Sequence, residues 1–508
     1  MRRTNARWSP SSLSSVVKGG FWLYLVSLTN NVSGFVFWLI VSVIAGPTVI
    51  GYVSAVVSLA SLLTGLLSFG VNRGLIRWVG ECAGKGDLEG VRAYFWSSFL
   101  LLALSSSSPA TALILLSLRG LSFYNYTPST LLFVAVLLLL NMASAFPSLF
   151  IGLMDTFPYF VANFIGCALK ILIGVYLIWL GLGWKGALIG YLMVRLSLMG
   201  IGVFFLARRV GLRPAFSLNH LLEVLKAGLP SWLPGIVLLI GQQLAVIFVF
   251  NLVGVVESGI FYVAMAVSSF IVGIAGSVQQ MMMPFLSGLG DGRKRAAWKG
   301  LKVSVALTAP LIAGVSLFPD FILGLLGPQY RAGGILLDIV MASNVISLLS
   351  ATVMNLCYAY KLFRPILYVG LATSMFRLTL YVFLTPALGA VGVAISLLAG
   401  SACGLLASLA VARRVGFKFD GRALCLIVLI PLGIGLAVGG AFRILIPKLW
   451  PLGLASVALL GFAALMRARL IERGEVREIG AALIPKTLQP RVYGLGKELL
   501  DLIYGEGA

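Results

Sequence analysis

Three basic residues stand inside uninterrupted apolar stretches: Lys170 in "CALKILIG", Arg377 in "SMFRLTL" and Arg195 in "MVRLSL". Inserting such a charge at mid-membrane costs about 2.5–3.5 kcal/mol, so a residue kept there needs a reason. Lys170 lies about ten residues from either end of its stretch, about 15 Å by helical rise, which is too deep for its stem to reach the headgroups. A fixed cation at that depth can replace the water and counterions around a phosphate or diphosphate. Plainer roles compete. Arg377 can pair with Asp338, and Arg195, eight residues from an end, can half-snorkel. Arg73 and Arg77, four apart on one helical face, can receive an anion at the mouth of such a stretch. Ordinary anchoring at the headgroups, with Trp78 at the interface, explains them equally well. Asn30 and Asn31, with Asn141, Asn163, Asn344 and Asn355, can meet sugar hydroxyls or tie helices together.

The elements that must hold these residues are helices crossing a bilayer. Of 508 residues, 60% are hydrophobic and only 11% charged, against about 25% charged in ordinary globular chains. Apolar runs of about 20 residues recur from end to end, long enough to cross about 30 Å of hydrocarbon. We read about fourteen spans: 21–45, 52–69, 94–118, 131–154, 160–182, 187–207, 230–253, 259–283, 303–319, 334–358, 365–385, 389–411, 424–443 and 449–466. This is an all-α polytopic membrane protein. The alternating ten-residue segments of a β-barrel are absent. With the N-terminus inside, 30 of the 38 Lys and Arg fall on inner segments, so the net charge of +22 reports topology rather than nucleic acid. Both termini are then cytoplasmic: 1–20, with Arg2, Arg3, Arg7 and Lys18, and the mixed-charge tail 467–508. The first span is too long for a cleaved signal and stays as a helix. The five cysteines and the single histidine, His220, show no disulfide or metal spacing, and no cofactor motif appears. "NYT" at 125–127 is a sequon in an outer loop too short to expect modification.

The chain repeats itself. "ARRVG" occurs at 207–211 and 412–416; "AGPTVIGYV" at 45–53 matches "VGVVESGIF" at 253–261; "GWKGALIGYL" at 183–192 matches "ALGAVGVAISL" at 387–397. The spacing predicts two six-helix lobes, 21–229 and 230–422, followed by two further helices in 423–466. Six is even, so both copies enter the membrane in the same direction, related by a two-fold axis along its normal. Lys170 and Arg377 then occupy matching depths in the two lobes. ARRVG itself reads as the inner stop of each bundle's last helix.

The same stretches carry a resemblance. "LSFGVNRGLIRWVGECAGKGDLEGVR" at 67–92, "VESGIFYVAMAV" at 256–267, "LGPQYRAGGILLDIV" at 326–340 and "LTPALGAVGVAISL" at 384–397 resemble polysaccharide-biosynthesis membrane proteins. These are lipid-linked oligosaccharide flippases of the multidrug/oligosaccharidyl-lipid/polysaccharide superfamily. The likeness runs over about residues 20–420. It implies a V-shaped pair of six-helix lobes around a cavity open alternately to each side. Members often carry an acidic residue in helix 7, where this chain has Gln242, Gln243 and Ala245.

The expected function is movement of a phosphate- or pyrophosphate-linked glycan precursor from the inner to the outer leaflet of the cell membrane. The expected partners are that lipid-linked glycan, membrane lipids and glycan-assembly membrane proteins, around a monomer. A multidrug-type cation antiporter would call for buried carboxylates, yet Asp155, Glu257 and Asp338 all sit near span ends. A membrane glycosyltransferase or ligase would call for acidic or histidine groups on a sizeable outer loop. The longest, 320–333, offers only Asp320, Gln329, Tyr330 and Arg331.

Overall fold

A computed structural model describes residues 13–289 and 291–470. The expected cytoplasmic segments lie largely outside the described residues: Arg2, Arg3 and Arg7 at one end, 471–508 at the other. The described residues are helical, with a single isolated bridge, Phe123–Tyr126, in place of any strand. Ten helices among them are apolar and long enough to cross a membrane. Three of these, Gly19–Leu67, Phe157–Arg209 and Phe363–Val415, run for 49 to 53 residues. At about 1.5 Å per residue each is more than twice the thickness of the hydrocarbon.

Each of the three is broken by glycine in a conformation that a Cβ would disfavour. Gly46 (φ 74°) breaks α1 (Leu13–Leu67). Gly181 (φ 87°) and Gly183 (φ 53°) lie where α6 (Phe157–Leu177) gives way to α7 (Gly183–Arg209). Gly389 (φ 59°) breaks α13 (Phe363–Val415). The breaks follow the sequence repeat. Five pairs of left-handed residues recur at displacements of 205 to 208: Gly46/Gly254, Gly86/Gly292, Met154/Lys361, Gly183/Gly389 and Gly211/Gly416. For Gly183 and Gly389 the match extends to ψ, −129° and −137°. A close approach repeats as well. A Cβ on Gly186 would meet the backbone of Leu177, and one on Gly392 the backbone of Leu384.

The described residues divide into two compact units: residues up to Ala266 with Thr373–Ser396, and Val267–Ala372 with the chain from Leu397 on. The expected first lobe lies wholly in the first unit, whereas the expected second lobe is distributed over both. In the first unit α2 (Val71–Lys85), α3 (Leu88–Leu118), α4 (Pro128–Leu139) and α5 (Ala145–Gly152) join α1, α6 and α7, and α8 (Leu218–Phe248) packs on α1 and α2. The stretch expected as an inner loop after span 2 is thus partly helical. Gly70 (φ 75°) ends the preceding helix, and an αL glycine, Gly86, ends α2. Asp87 then caps α3 by accepting from the Gly90 N–H. Arg73 and Arg77 belong to this separate α2, one segment later than expected.

The second unit holds most of α9 (Val255–Gly288), α10 (Arg293–Val315), α11 (Pro319–Gly324), α12 (Gly334–Ala359), α14 (Gly421–Ile434), α15 (Gly440–Leu445) and α16 (Trp450–Arg467). Its interior is tied by uncharged polar groups. Gln279 donates to Ser304 (3.3 Å) and Thr352 (2.9 Å), Asn355 donates to the Gln279 carbonyl (2.9 Å), and Asn344 donates to Ser268 (2.8 Å). In hydrocarbon such bonds hold helices together because an unmet polar group has no water to turn to.

Candidate functional site

Lys170 is 6% exposed and Arg377 8%, and both lie in the first unit. Lys170 is held by an arrangement that the spacing of apolar residues did not reveal. Its Nζ donates to Ser33 Oγ (3.4 Å) and lies 5.4 Å from the centre of the Phe37 ring and 5.7 Å from that of Tyr191. Ser33 and Phe37 are one turn apart on α1, so they present one face to α6. Among the described residues no carboxylate lies within ion-pairing distance of this ammonium. A desolvated cation–π contact is worth about 2 kcal/mol and an exposed one about 0.5–1. The rings and one hydroxyl therefore offset the cost of burial without neutralising the charge.

The backbone around Lys170 is fixed by small residues. A Cβ on Gly190 would lie 2.7 Å from the Lys170 carbonyl and from Gly174 Cα, so α6 and α7 cross almost backbone to backbone. That crossing sets Tyr191, the next residue, against the ammonium. One turn on, the half-buried Arg195 guanidinium lies in electrostatic reach of the Tyr191 and Tyr159 hydroxyls. Tyr191 thus neighbours two cations. Trp38 and Tyr262 continue the aromatic wall, with ring centres 4.7 Å apart.

Of the asparagines, Asn30 joins this cluster, its Oδ1 accepting from Cys167 Sγ (3.6 Å), while Asn163 Nδ2 lies 3.9 Å from the same sulfur. Asn31 is exposed on α1, and Asn141 donates to Ser106 across helices (3.1 Å). Arg377 occupies a second cluster, one turn before Tyr381, whose hydroxyl donates to the Gly241 carbonyl of α8 (2.9 Å). Gly241 also leaves room for Ser374, whose Oγ would lie 2.7 Å from a Cβ there. Asp338, the acid set against Arg377 in sequence, has neighbours of its own within the second unit: the Ser316 hydroxyl, Asp320 and Arg443.

Arg73 and Arg77 are apart from both clusters. Arg73 Nη1 donates to the Ser231 carbonyl (3.2 Å), and the Arg77 guanidinium carbon lies 5.5 Å from the Trp78 ring centre. Around them α2 is fastened to α8. Trp78 Nε1 donates to the Glu223 carbonyl (3.1 Å), Tyr94 donates to the Glu223 carboxylate, and Gly70 and Gly228 face each other with no space for a Cβ. Nearby, a hydrogen bond from Lys85 (2.7 Å) holds the Glu81 carboxyl below the usual carboxylate range, so the acid on this helix is already matched. Tyr191 and the fastening of α2 to α8 had faint sequence signals: a tyrosine four residues before Arg195, and a tryptophan, Trp78, two residues before Gly80.

Comparisons with known proteins agree on the architecture. The sequence profile of a family described as polysaccharide biosynthesis protein matches residues 44–332. A structure of the lipid II flippase MurJ in an inward closed conformation is similar over 88% of this chain and 100% of its own, at 15% identity and a TM-score of 0.66. An inward-facing multidrug resistance MATE family transporter of the MOP superfamily covers 77% of this chain and 98% of its own, at 16% identity and a TM-score of 0.60. The MATE multidrug transporter DinF-BH covers 82% and 99%, at 16% identity and a TM-score of 0.59. No curated protein sequence matches at a significant level. At such identities the structural likeness concerns the fold.

Proposed function

Because the chain belongs to the polysaccharide biosynthesis protein family, we propose that it is a flippase carrying a phosphate- or pyrophosphate-linked glycan precursor from the inner to the outer leaflet. The observation that carries this reading is Lys170: a cation at mid-span, packed against rings and a hydroxyl, with no carboxylate at hand among the described residues. Such a group is matched by an anion brought from outside the protein. Lys170, Arg195 and Arg377 hold the phosphates, Asn30 and Asn31 lie along the glycan's path, and Arg73 with Arg77 guide the head group in from the cytoplasmic side. The chain crosses the membrane about fourteen times. Its two six-helix lobes, 21–229 and 230–422, alternate access around the site, and the helices in 423–466 stand outside the repeat. It transports rather than transforms its cargo and works as a monomer alongside glycan-assembly proteins.

Energetics favour this direction. With the interior negative, each negative charge moved outward gains about 2.3 kcal/mol per 100 mV, so a diphosphate near −2 gains about twice that. The membrane potential alone can then bias the traffic. The direct test is translocation of a fluorescent polyprenyl-diphosphate oligosaccharide by the purified protein in vesicles. Protein-dependent flipping is expected. Efflux of a cationic dye without lipid flipping would instead make the protein an antiporter.

The charge asymmetry also fixes an orientation to check. A reporter fused after Ala508 should be active only when it requires the cytoplasm. Activity restricted to the outside would refute an even number of spans with the N-terminus in.

A further inference from the structure

Within α1, beyond its first membrane-length stretch, the chain turns through Gly46 and continues as Pro47, Val49 and Gly51; past the end of α8 it turns through Gly254 and continues as α9. A Cβ on Gly51 would lie 2.0 Å from the Val255 carbonyl oxygen, and a Cβ on Gly259 would lie 2.0 Å from the Pro47 carbonyl oxygen. The displacement of 208 that relates Gly46 to Gly254 also relates Pro47 to Val255 and Gly51 to Gly259. Each glycine therefore meets the repeat-mate of the residue that its own repeat-mate meets. This reciprocity is what defines a contact across a two-fold axis, here within one chain. All four residues belong to the first unit.

Around this crossing the 119–127 segment forms a strap. Asn125 Nδ2 donates to the Phe250 carbonyl (2.5 Å), its backbone N–H donates to Asn251 Oδ1 (3.3 Å), and buried Tyr126 packs on Phe250 while donating to the Ala55 carbonyl (3.2 Å). The sequon asparagine is thus occupied by a backbone carbonyl. Small residues at a helix crossing let backbones touch, and touching backbones exclude water without a side chain that must be reordered.

We infer that the paired crossing of Gly51 on Val255 and Gly259 on Pro47, strapped by Asn125, is the seal that closes the outer end of the transport path. The sidedness rests on the flippase reading above. The seal opens by parting the two repeat-related hairpins as one event, because neither glycine contact can be lost while the other keeps its geometry. Its parts are glycine because the closed state has no space for a methyl group at either position.

The test uses the full protein in vesicles, with a cysteine placed at buried Ala55 under the strap. Gly51→Ala and Gly259→Ala should each hold the end open. Labelling of Ala55→Cys by a membrane-impermeant thiol reagent should rise at least about ten-fold, and flipping of the fluorescent polyprenyl-diphosphate oligosaccharide should fall by a similar factor, equally for the two variants. Unchanged labelling with unchanged flipping in both would overturn the seal. In the event that either alanine variant does not fold, Asn125→Cys with Asn251→Cys supplies the converse test: oxidation should stop flipping and reduction restore it. Full flipping with the disulfide formed would equally refute it. Labelling from the cytoplasmic side instead would overturn the orientation and leave the paired crossing standing as a seal at the opposite end.

Discussion

Lys170→Gln is expected to reduce flipping by roughly ten- to a hundred-fold, the span that losing one charged hydrogen bond of about 1.5–3 kcal/mol implies. Lys170→Arg should retain part of the activity, because it keeps the charge that the ring pair and Ser33 hold in place. The lipid's head group stays anionic throughout the crossing, so charge rather than length should govern the outcome. Arg377→Lys and Arg377→Gln should follow the same order, with the lysine variant more impaired than its counterpart, since it lacks a bidentate fork. Folding should survive in the neutral variants, because removing a mid-membrane cation relieves an insertion cost. Pairing between Arg377 and Asp338 makes the opposite forecast: Arg377→Gln would destabilise the protein, and adding Asp338→Asn would restore stability and flipping together. Thermal stability measured beside flipping rate separates the two. Neutral variants that flip at the wild-type rate would remove these cations from the site.

Gly190→Ala should be far worse than Gly174→Ala, though both add one methyl group at the same helix crossing. At Gly190 the new Cβ would face fixed backbone, the Lys170 carbonyl and Gly174 Cα at 2.7 Å each. At Gly174 its nearest neighbour would be the edge of the Phe37 ring at 2.9 Å, which can tilt. Overpacking costs about 1–3 kcal/mol where the surroundings cannot yield. The Gly190 variant should therefore lose that much stability and most transport, because Tyr191 and the Lys170 backbone move apart with the helices. Gly174→Ala should stay within about 1 kcal/mol of wild type. Equal melting temperatures for the two would show that the crossing is looser than its geometry indicates.

Much of the helical plan was legible in the sequence, because in hydrocarbon a long apolar run has few alternatives to a helix. The repeat was legible too, since glycines needed at left-handed turns leave a mark that drifts little: Gly46 and Gly254, or Gly183 and Gly389, stand out by type alone. What the residues could not reveal is how span ends are built. An amphipathic segment such as Val71–Lys85 reads equally well as a loop, and only Gly70 and Gly86 mark it off as a helix. The candidate site was half legible. Lys170 announces itself by charge, but Phe37 and Tyr191 look like any other aromatic residues in a membrane chain. Their role depends on a Gly174–Gly190 crossing that brings distant turns together. The asparagines show the limit of residue type: Asn30 reaches the Lys170 cluster, whereas Asn141 and Asn344 serve as ties between helices.

The glycine turns also govern how the molecule meets the world beyond its membrane. Where α1, α6–α7, α8–α9 and α13 double back, the chain reverses within a few residues and leaves no loop behind. The longer connections between helices include 119–127 in the first unit and 325–333 and 446–449 in the second. An antibody, a protease or an inserted affinity tag would find little to grip at the glycine turns themselves. Immunisation with the intact protein should return binders to those longer connections before it returns any to the Gly46 or Gly389 corners.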